Sequence, residues 1–197
     1  MTEQTHSPAQ FVRQALLFEM ALGLAAVVFG LWMDRPPWRR FDWTLAAGAW
    51  GIATALPMLL LLLSLRLIHR GPIGRLNRLV DSMVVPLFVG CTVGDLALIA
   101  IVAGLGEEML FRGAIQPVLG NWLGPVTGLV CASLVFGLAH AITPTYAVLT
   151  ALIGGYLGWL YLQSDNLLIP ATAHALYDFV AIVYLQRSNI KPEVEQR

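Results

Sequence analysis

Long apolar runs separated by short polar stretches dominate the chain. Six of them approach the roughly 20 residues that a helix needs to cross a bilayer: about Ala15–Met33, Trp43–Leu65, Thr92–Phe111, Leu123–His140, Tyr146–Leu162 and Leu167–Leu185. The first is too long for the apolar core of a cleaved signal peptide and contains Glu19, so it reads as an anchor. Between the second and third runs the periodicity changes. Over Ile73–Phe88, Ile73, Leu76, Val80, Met83, Val84 and Leu87 share one helical stripe, with Arg75, Arg78, Asp81 and Ser82 opposite. That pattern predicts an amphipathic helix lying along the membrane surface. The expected fold is all-α: a polytopic transmembrane helical bundle of about six spans plus one interfacial helix.

Composition agrees. The 197 residues are 57% hydrophobic and 12% charged, about half the charge of an ordinary soluble domain, which points to lipid as the solvent. Zero formal net charge gives no basis for nucleic-acid binding. The length suits a single integral-membrane domain over 1–197. Cys91 and Cys131 lie in apolar surroundings without CxxC spacing and read as packing residues. Eight basic residues fall on one side of the expected spans (Arg13, Arg66, Arg70, Arg75, Arg78, Arg187, Lys191 and Arg197), against three in the first loop, Arg35, Arg39 and Arg40. The positive-inside rule then places both termini in the cytoplasm. Trp32, Trp38 and Trp43 read as interface anchors. Gly154, Gly155 and Gly158 predict a close helix contact, and Asp165-Asn166 a turn.

Against this background the ionisable residues inside the runs are conspicuous, because buried charge in a membrane is costly and marks function. Glu107 and Glu108 are adjacent, and Arg112 follows Glu108 on the same helical face. Glu107 is left without an evident partner. His140 ends Phe136-Gly-Leu-Ala-His140, while His174 and Asp178 stand four apart on one face of the last run. Each alone would face hydrocarbon, so convergence is the economical arrangement. Glu19 reads as an interior hydrogen-bonding or snorkelling residue, Asp95 as interfacial, and Tyr177 as packing.

Glu107-Glu-Met-Leu-Phe-Arg112 resembles the EExxxR motif of the CPBP intramembrane proteases, the family of CAAX-processing and bacteriocin-processing enzymes. Phe136-Gly-Leu-Ala-His140 is similar to its FxxxH motif and His174-Ala-Leu-Tyr-Asp178 to its HxxxN/D motif, in the family's order, within a motif region of about 92–186. The resemblance implies an intramembrane endopeptidase in a bacterial inner membrane, acting on a membrane-associated or exported protein. It also implies a general-base role for Glu107 and a shared role in water activation for His140. Burial suits a carboxylate to that task near neutral pH.

On this reading Glu108, paired with Arg112, is structural and spares Glu107 from ion pairing. His174 faces the scissile carbonyl and stabilises the oxyanion. Phe136 supports the pocket one turn from His140. Asp178 stands where many members have Asn; an ionised carboxylate cannot donate to an oxyanion, so it is expected to orient His174.

The expectation is a cofactor-free glutamate mechanism; zinc held by Glu107, His140 and His174 is the alternative, although the chain has no HExxH. Two other functions compete. One is a non-catalytic scaffold of the same family binding a membrane partner, which leaves buried Glu and His without purpose. The other is a proton-coupled carrier or bis-His haem protein, which leaves EExxxR unexplained. The six-span reading contains a depth conflict: Glu107 and His174 approach the non-cytoplasmic side, whereas His140 falls near the cytoplasmic end of its span. A broken, tilted or longer helix would resolve it.

Overall fold

The computed structural model of the chain describes residues 7–189, and among these the regular structure is entirely helical. Lys191 and Arg197, used in the charge comparison, lie outside the described residues. The helices are α1 (Pro8–Trp32), α2 (Leu45–Arg66), α3 (Gly71–Leu79), α4 (Val93–Leu110), α5 (Gln116–Leu123), α6 (Pro125–Ala139), α7 (Pro144–Ser164) and α8 (Leu168–Asn189). Several start where local chemistry dictates. Ser7 with Gln10 and Thr92 with Asp95 form reciprocal capping boxes, and Thr143 caps α7. Gly124, at φ 90°, makes the tight reversal between α5 and α6, and Asp165 ends α7 in the left-handed region as the predicted turn requires.

Four helices, α1, α2, α7 and α8, are each long and apolar enough to cross a membrane. Large apolar side chains stay exposed along them, Leu24, Leu56, Val148 and Leu152 among them, as lipid-facing surfaces require. The chain is thus an integral-membrane helical bundle, but the third and fourth expected spans differ from their predicted boundaries. The third does not stop at Phe111: α4 passes through a π-helical turn, Phe111–Ile115, directly into α5 and ends at Leu123. It qualifies as a span only together with Gly71–Phe88, from which it is bent by 109°. The fourth, α6, has only 15 residues.

These lengths remove the depth conflict. The continuous run Val93–Leu123 rises about 46 Å, and α6 returns only about 22 Å of it before ending at His140. His140 therefore stops about 24 Å from the start of α4, close to the ~21 Å at which Glu107 lies along the same axis. A longer helix, rather than a broken one, aligns the two.

The segment expected on the membrane surface spans Gly71–Phe88 and loosens from α-helix into a π turn and then a 3-10 turn. Its stripe divides. Ile73, Leu76, Val80 and Val84 line an internal cavity, whereas Met83 and Leu87 face outward. Asn77 donates through Nδ2 to the carbonyls of Leu65 and Ile68 at the end of α2, both at 3.0 Å, and Asp81 pairs with Arg66. The segment is a roof fastened to α2.

Beneath it, α4 packs between α1 and α8, α2 lies along α8, and α6 lies along α7. Ala55, Met58, Leu157, Leu160 and Ala173 form the core that joins α2, α7 and α8. At the opposite end the first loop is fastened to the α7–α8 turn. Arg40 donates to Asp165 at 3.0 Å, and the backbone of Asp42 exchanges hydrogen bonds with the Asn166 side chain at 3.0 and 3.1 Å. Trp32, Trp38 and Trp43 are exposed around this end, consistent with interface anchors.

Candidate active site

The π turn places a column of polar side chains inside the bundle. Glu108, Arg112 and Gln116 follow one another at intervals of four, and all three are buried. Burial is possible because α7 offers glycines at the same interval. Arg112 donates Nη2 to the Gly154 carbonyl at 2.8 Å, and Gln116 donates Nε2 to the Gly158 carbonyl at 3.1 Å. A Cβ at Gly158 would stand 2.6 Å from Gln116 Oε1, and one at Gly154 would stand 3.1 Å from the Phe136 ring. The expected close contact therefore receives polar side chains rather than only a neighbouring backbone. Gly158→Val is expected to expel Gln116 and lower the melting temperature of the detergent-purified protein by several degrees; Gly155→Ala, where a Cβ meets only Ser133 Oγ at 3.7 Å, is the control that leaves it unchanged.

Glu108 is the hub of this column. Its Oε1 accepts from Arg112 Nη1 at 2.5 Å and from His174 Nδ1 at 2.9 Å. The pairing with Arg112 was legible in the sequence, but the hold on His174 was not. Asp178, the expected orienting group, stands 3.4 Å from His174 Nε2, a looser contact. The ring is thus fixed from the Nδ1 side, with Nε2 turned towards Asp178.

Glu107 and His140 form the second half of the cluster. His140 caps the C-terminal end of α6, and its Nδ1 donates to the Phe136 carbonyl at 2.8 Å; the carbonyl can only accept, which fixes the proton on Nδ1. Nε2 then faces Glu107 Oε2 at 3.6 Å, too long for a direct bond but a suitable span for one water contacting both. Glu107 is 7% exposed, and its Oε2 has no hydrogen-bond partner among the described residues. Phe136 holds the two halves together: its ring lies 4.4 Å from that of His140 and 6.0 Å from that of His174, and the Arg112 guanidinium sits 4.6 Å from its centroid.

All seven residues singled out from the motifs therefore meet in one place. Glu107, Phe136, His140, His174 and Asp178 line a cavity of about 300 Å³, and Glu108 and Arg112 lie behind its wall. Tyr177, read as packing, lines the same cavity, as does Tyr146. Glu19 comes closer than expected. Its backbone carbonyl would stand 2.7 Å from a Cβ at Gly106, and its charge lies within electrostatic range of Glu107, His140, His174 and Asp178. Its Oε2 is buried without a hydrogen-bond partner among the described residues, unlike the expected interior hydrogen-bonding residue. Gln116 joins this column outside the three motifs, and its spacing of four from Arg112 is the signal the sequence carries for it.

As for metal ligation, no three His, Cys, Asp or Glu side chains among the described residues are arranged to hold an ion. A zinc site on Glu107, His140 and His174 would require His174 to give up a carboxylate at one of its nitrogens.

The fold and this cluster define a polytopic membrane protein with a buried Glu–His centre. Residues 90–180, the segment that carries all three motifs, match the family described as Rce1-like, type II CAAX prenyl endopeptidase, in agreement with the CPBP resemblance. The chain is also 28% identical over 109 residues to the uncharacterized protein YpbD of Bacillus subtilis (strain 168). That match covers 53% of either chain, so this chain spans about half the length of the curated relative. No solved structure matches it.

Proposed function

We propose that the chain is an intramembrane endopeptidase that hydrolyses a peptide bond in a membrane-associated or exported protein. The observation that carries this reading is Glu107 Oε2: a buried carboxylate oxygen without a partner, on a cavity wall, 3.6 Å from an imidazole nitrogen whose tautomer is fixed. A water between Glu107 and His140 gives its proton to Glu107 as its oxygen attacks the scissile carbonyl. Protonated on both ring nitrogens between the Glu108 and Asp178 carboxylates, His174 donates from Nε2 to the developing oxyanion while Glu108 holds the ring in place from behind. The tetrahedral intermediate collapses as the C–N bond breaks, and the proton held by Glu107 passes to the leaving amine. His140, whose Nε2 carries no proton of its own, can relay it. Arg112 neutralises Glu108, leaving Glu107 as the unpaired base. This scheme needs no metal.

The cavity extends towards the end of the bundle that carries Arg66, Arg70, Arg75 and Arg78. By the positive-inside rule that end is cytoplasmic in a bacterial inner membrane, with both termini on the same side. The test is a comparison of membranes from cells expressing wild type, Glu107→Ala and His140→Ala at matched protein level, with the termini of membrane and exported proteins mapped by mass spectrometry. The same uncleaved precursor should accumulate in both variants. Identical termini in all three, with the wild-type phenotype retained, would replace the protease with a family scaffold.

A further inference from the structure

A developing oxyanion is stabilised by each preorganised donor aimed at it, and most polar side chains on the cavity wall have no proton to offer. Glu107 and Asp178 are carboxylates, which only accept when ionised. His140 commits its one ring proton to the Phe136 carbonyl at 2.8 Å. The Thr150 hydroxyl donates to the Tyr146 carbonyl at 2.9 Å and shares its proton with that of Ala147 at 3.2 Å. Arg66 and Asn77 stand beneath the roof, bound to Asp81 and to the Leu65 and Ile68 carbonyls. His174 can donate from Nε2, but Asp178 competes for that proton at 3.4 Å.

Two phenols remain. Tyr146 and Tyr177 line the cavity half-buried, and neither hydroxyl makes a hydrogen bond among the described residues. They are not equivalent. Tyr146 lies in the first turn of α7, where its N–H donates to the Thr143 hydroxyl at 3.1 Å and its carbonyl accepts from Thr150. Its backbone is thus held from both sides while its hydroxyl is left free. That hydroxyl is within electrostatic range of both Asp178 and Glu107. Tyr177 is within range of Asp178 and Tyr146, and its ring packs against the core of Ala55, Met58 and Leu157. Tyr146 is therefore the phenol placed near the base.

We propose that Tyr146 is a catalytic residue whose hydroxyl donates to the oxyanion, as the second donor beside His174 Nε2. This rests on the endopeptidase reading, which puts the scissile carbonyl between Glu107 and His174. The two donors then approach from different helices, α7 and α8. The part of the His174 proton that Asp178 draws away is offset by a hydroxyl with no competing acceptor. The phenol keeps its own proton throughout, since water supplies the one that passes through Glu107 to the leaving amine.

The test uses the full chain in phosphatidylcholine nanodiscs and a peptide spanning the cleavage site of the precursor that accumulates in Glu107→Ala membranes. Tyr146→Phe should lower kcat at least tenfold, about 10²-fold being typical of one lost oxyanion donor, with KM within twofold and an unchanged melting temperature. Tyr177→Phe should stay within threefold of wild type. A phosphinate analogue of the peptide, tetrahedral and anionic at the scissile position, should bind Tyr146→Phe at least tenfold more weakly than wild type. The parent peptide should bind Glu107→Gln equally well with and without Tyr146→Phe. A packing role would weaken both ligands alike, and that result overturns the proposal. So does a kcat loss below tenfold, or one carried by Tyr177→Phe instead. These outcomes leave the protease with a different donor, whereas a wild type that cleaves no precursor removes the endopeptidase reading and this proposal together.

Discussion

Glu107→Gln is expected to lower cleavage of the precursor found by terminus mapping by about 10³-fold, within the 10²–10⁴ range typical of a lost general base, while leaving the melting temperature near that of wild type. The amide is nearly isosteric, and the oxygen it alters has no hydrogen-bond partner to lose among the described residues. The neighbouring residue gives the contrast. Glu108→Gln weakens contacts to Arg112 at 2.5 Å and His174 at 2.9 Å, so its loss of activity should come with a loss of stability. Measuring rate and melting for both variants in one detergent separates a base from a support. A Glu107→Gln protein that retains more than a tenth of wild-type activity would remove Glu107 from the chemistry.

Arg112→Met should produce the largest structural effect. Arg112 is among the largest fully buried side chains, 1% exposed, and removing it leaves the buried Glu108 with His174 as its remaining polar partner among the described residues. Breaking a buried pair from one side typically costs about 3–5 kcal/mol. It also removes the donor to the Gly154 carbonyl and the cation over Phe136. The double variant Arg112→Met, Glu108→Gln should recover part of the loss, because no lone charge remains and the amide oxygen still accepts from His174. Equilibrium unfolding of the single and double variants checks this. Additive losses would show that the pair is not coupled.

The convergence of Glu107, His140, His174 and Asp178 was legible in the sequence for a physical reason: polar groups on separate apolar helices have nowhere to go but towards each other. Helix existence was legible on the same basis. The boundaries near Phe111 were less so, because Arg112, Gln116 and Pro117 interrupt the apolar pattern and read as the end of a span. Arg112 and Gln116 are accommodated there by the carbonyls of Gly154 and Gly158, some 40 residues later, and local hydropathy carries no trace of that pairing. The amphipathic segment Gly71–Phe88 was legible, but its contribution to the cavity wall was not, for a related reason. An amphipathic stripe shows that one face is buried, but not whether lipid or a protein cavity buries it. The grip of Glu108 on His174 likewise depends on the mutual rotation of α4 and α8, which spacing alone does not specify.

The brevity of α6 has a consequence for the surrounding bilayer. Its outward face is apolar, with Val126, Val130, Leu134 and Leu138 exposed, so it meets acyl chains. At about 22 Å it falls roughly 8 Å short of a typical 30 Å hydrocarbon layer. Such hydrophobic mismatch is relieved by thinning the adjacent leaflet, at fractions of a kcal/mol per Å. The thinned annulus lowers the headgroup plane towards the end of α6, where His140 stands, and shortens the path of water to the cavity. For the proposed endopeptidase the expected consequence is slower hydrolysis in thicker bilayers.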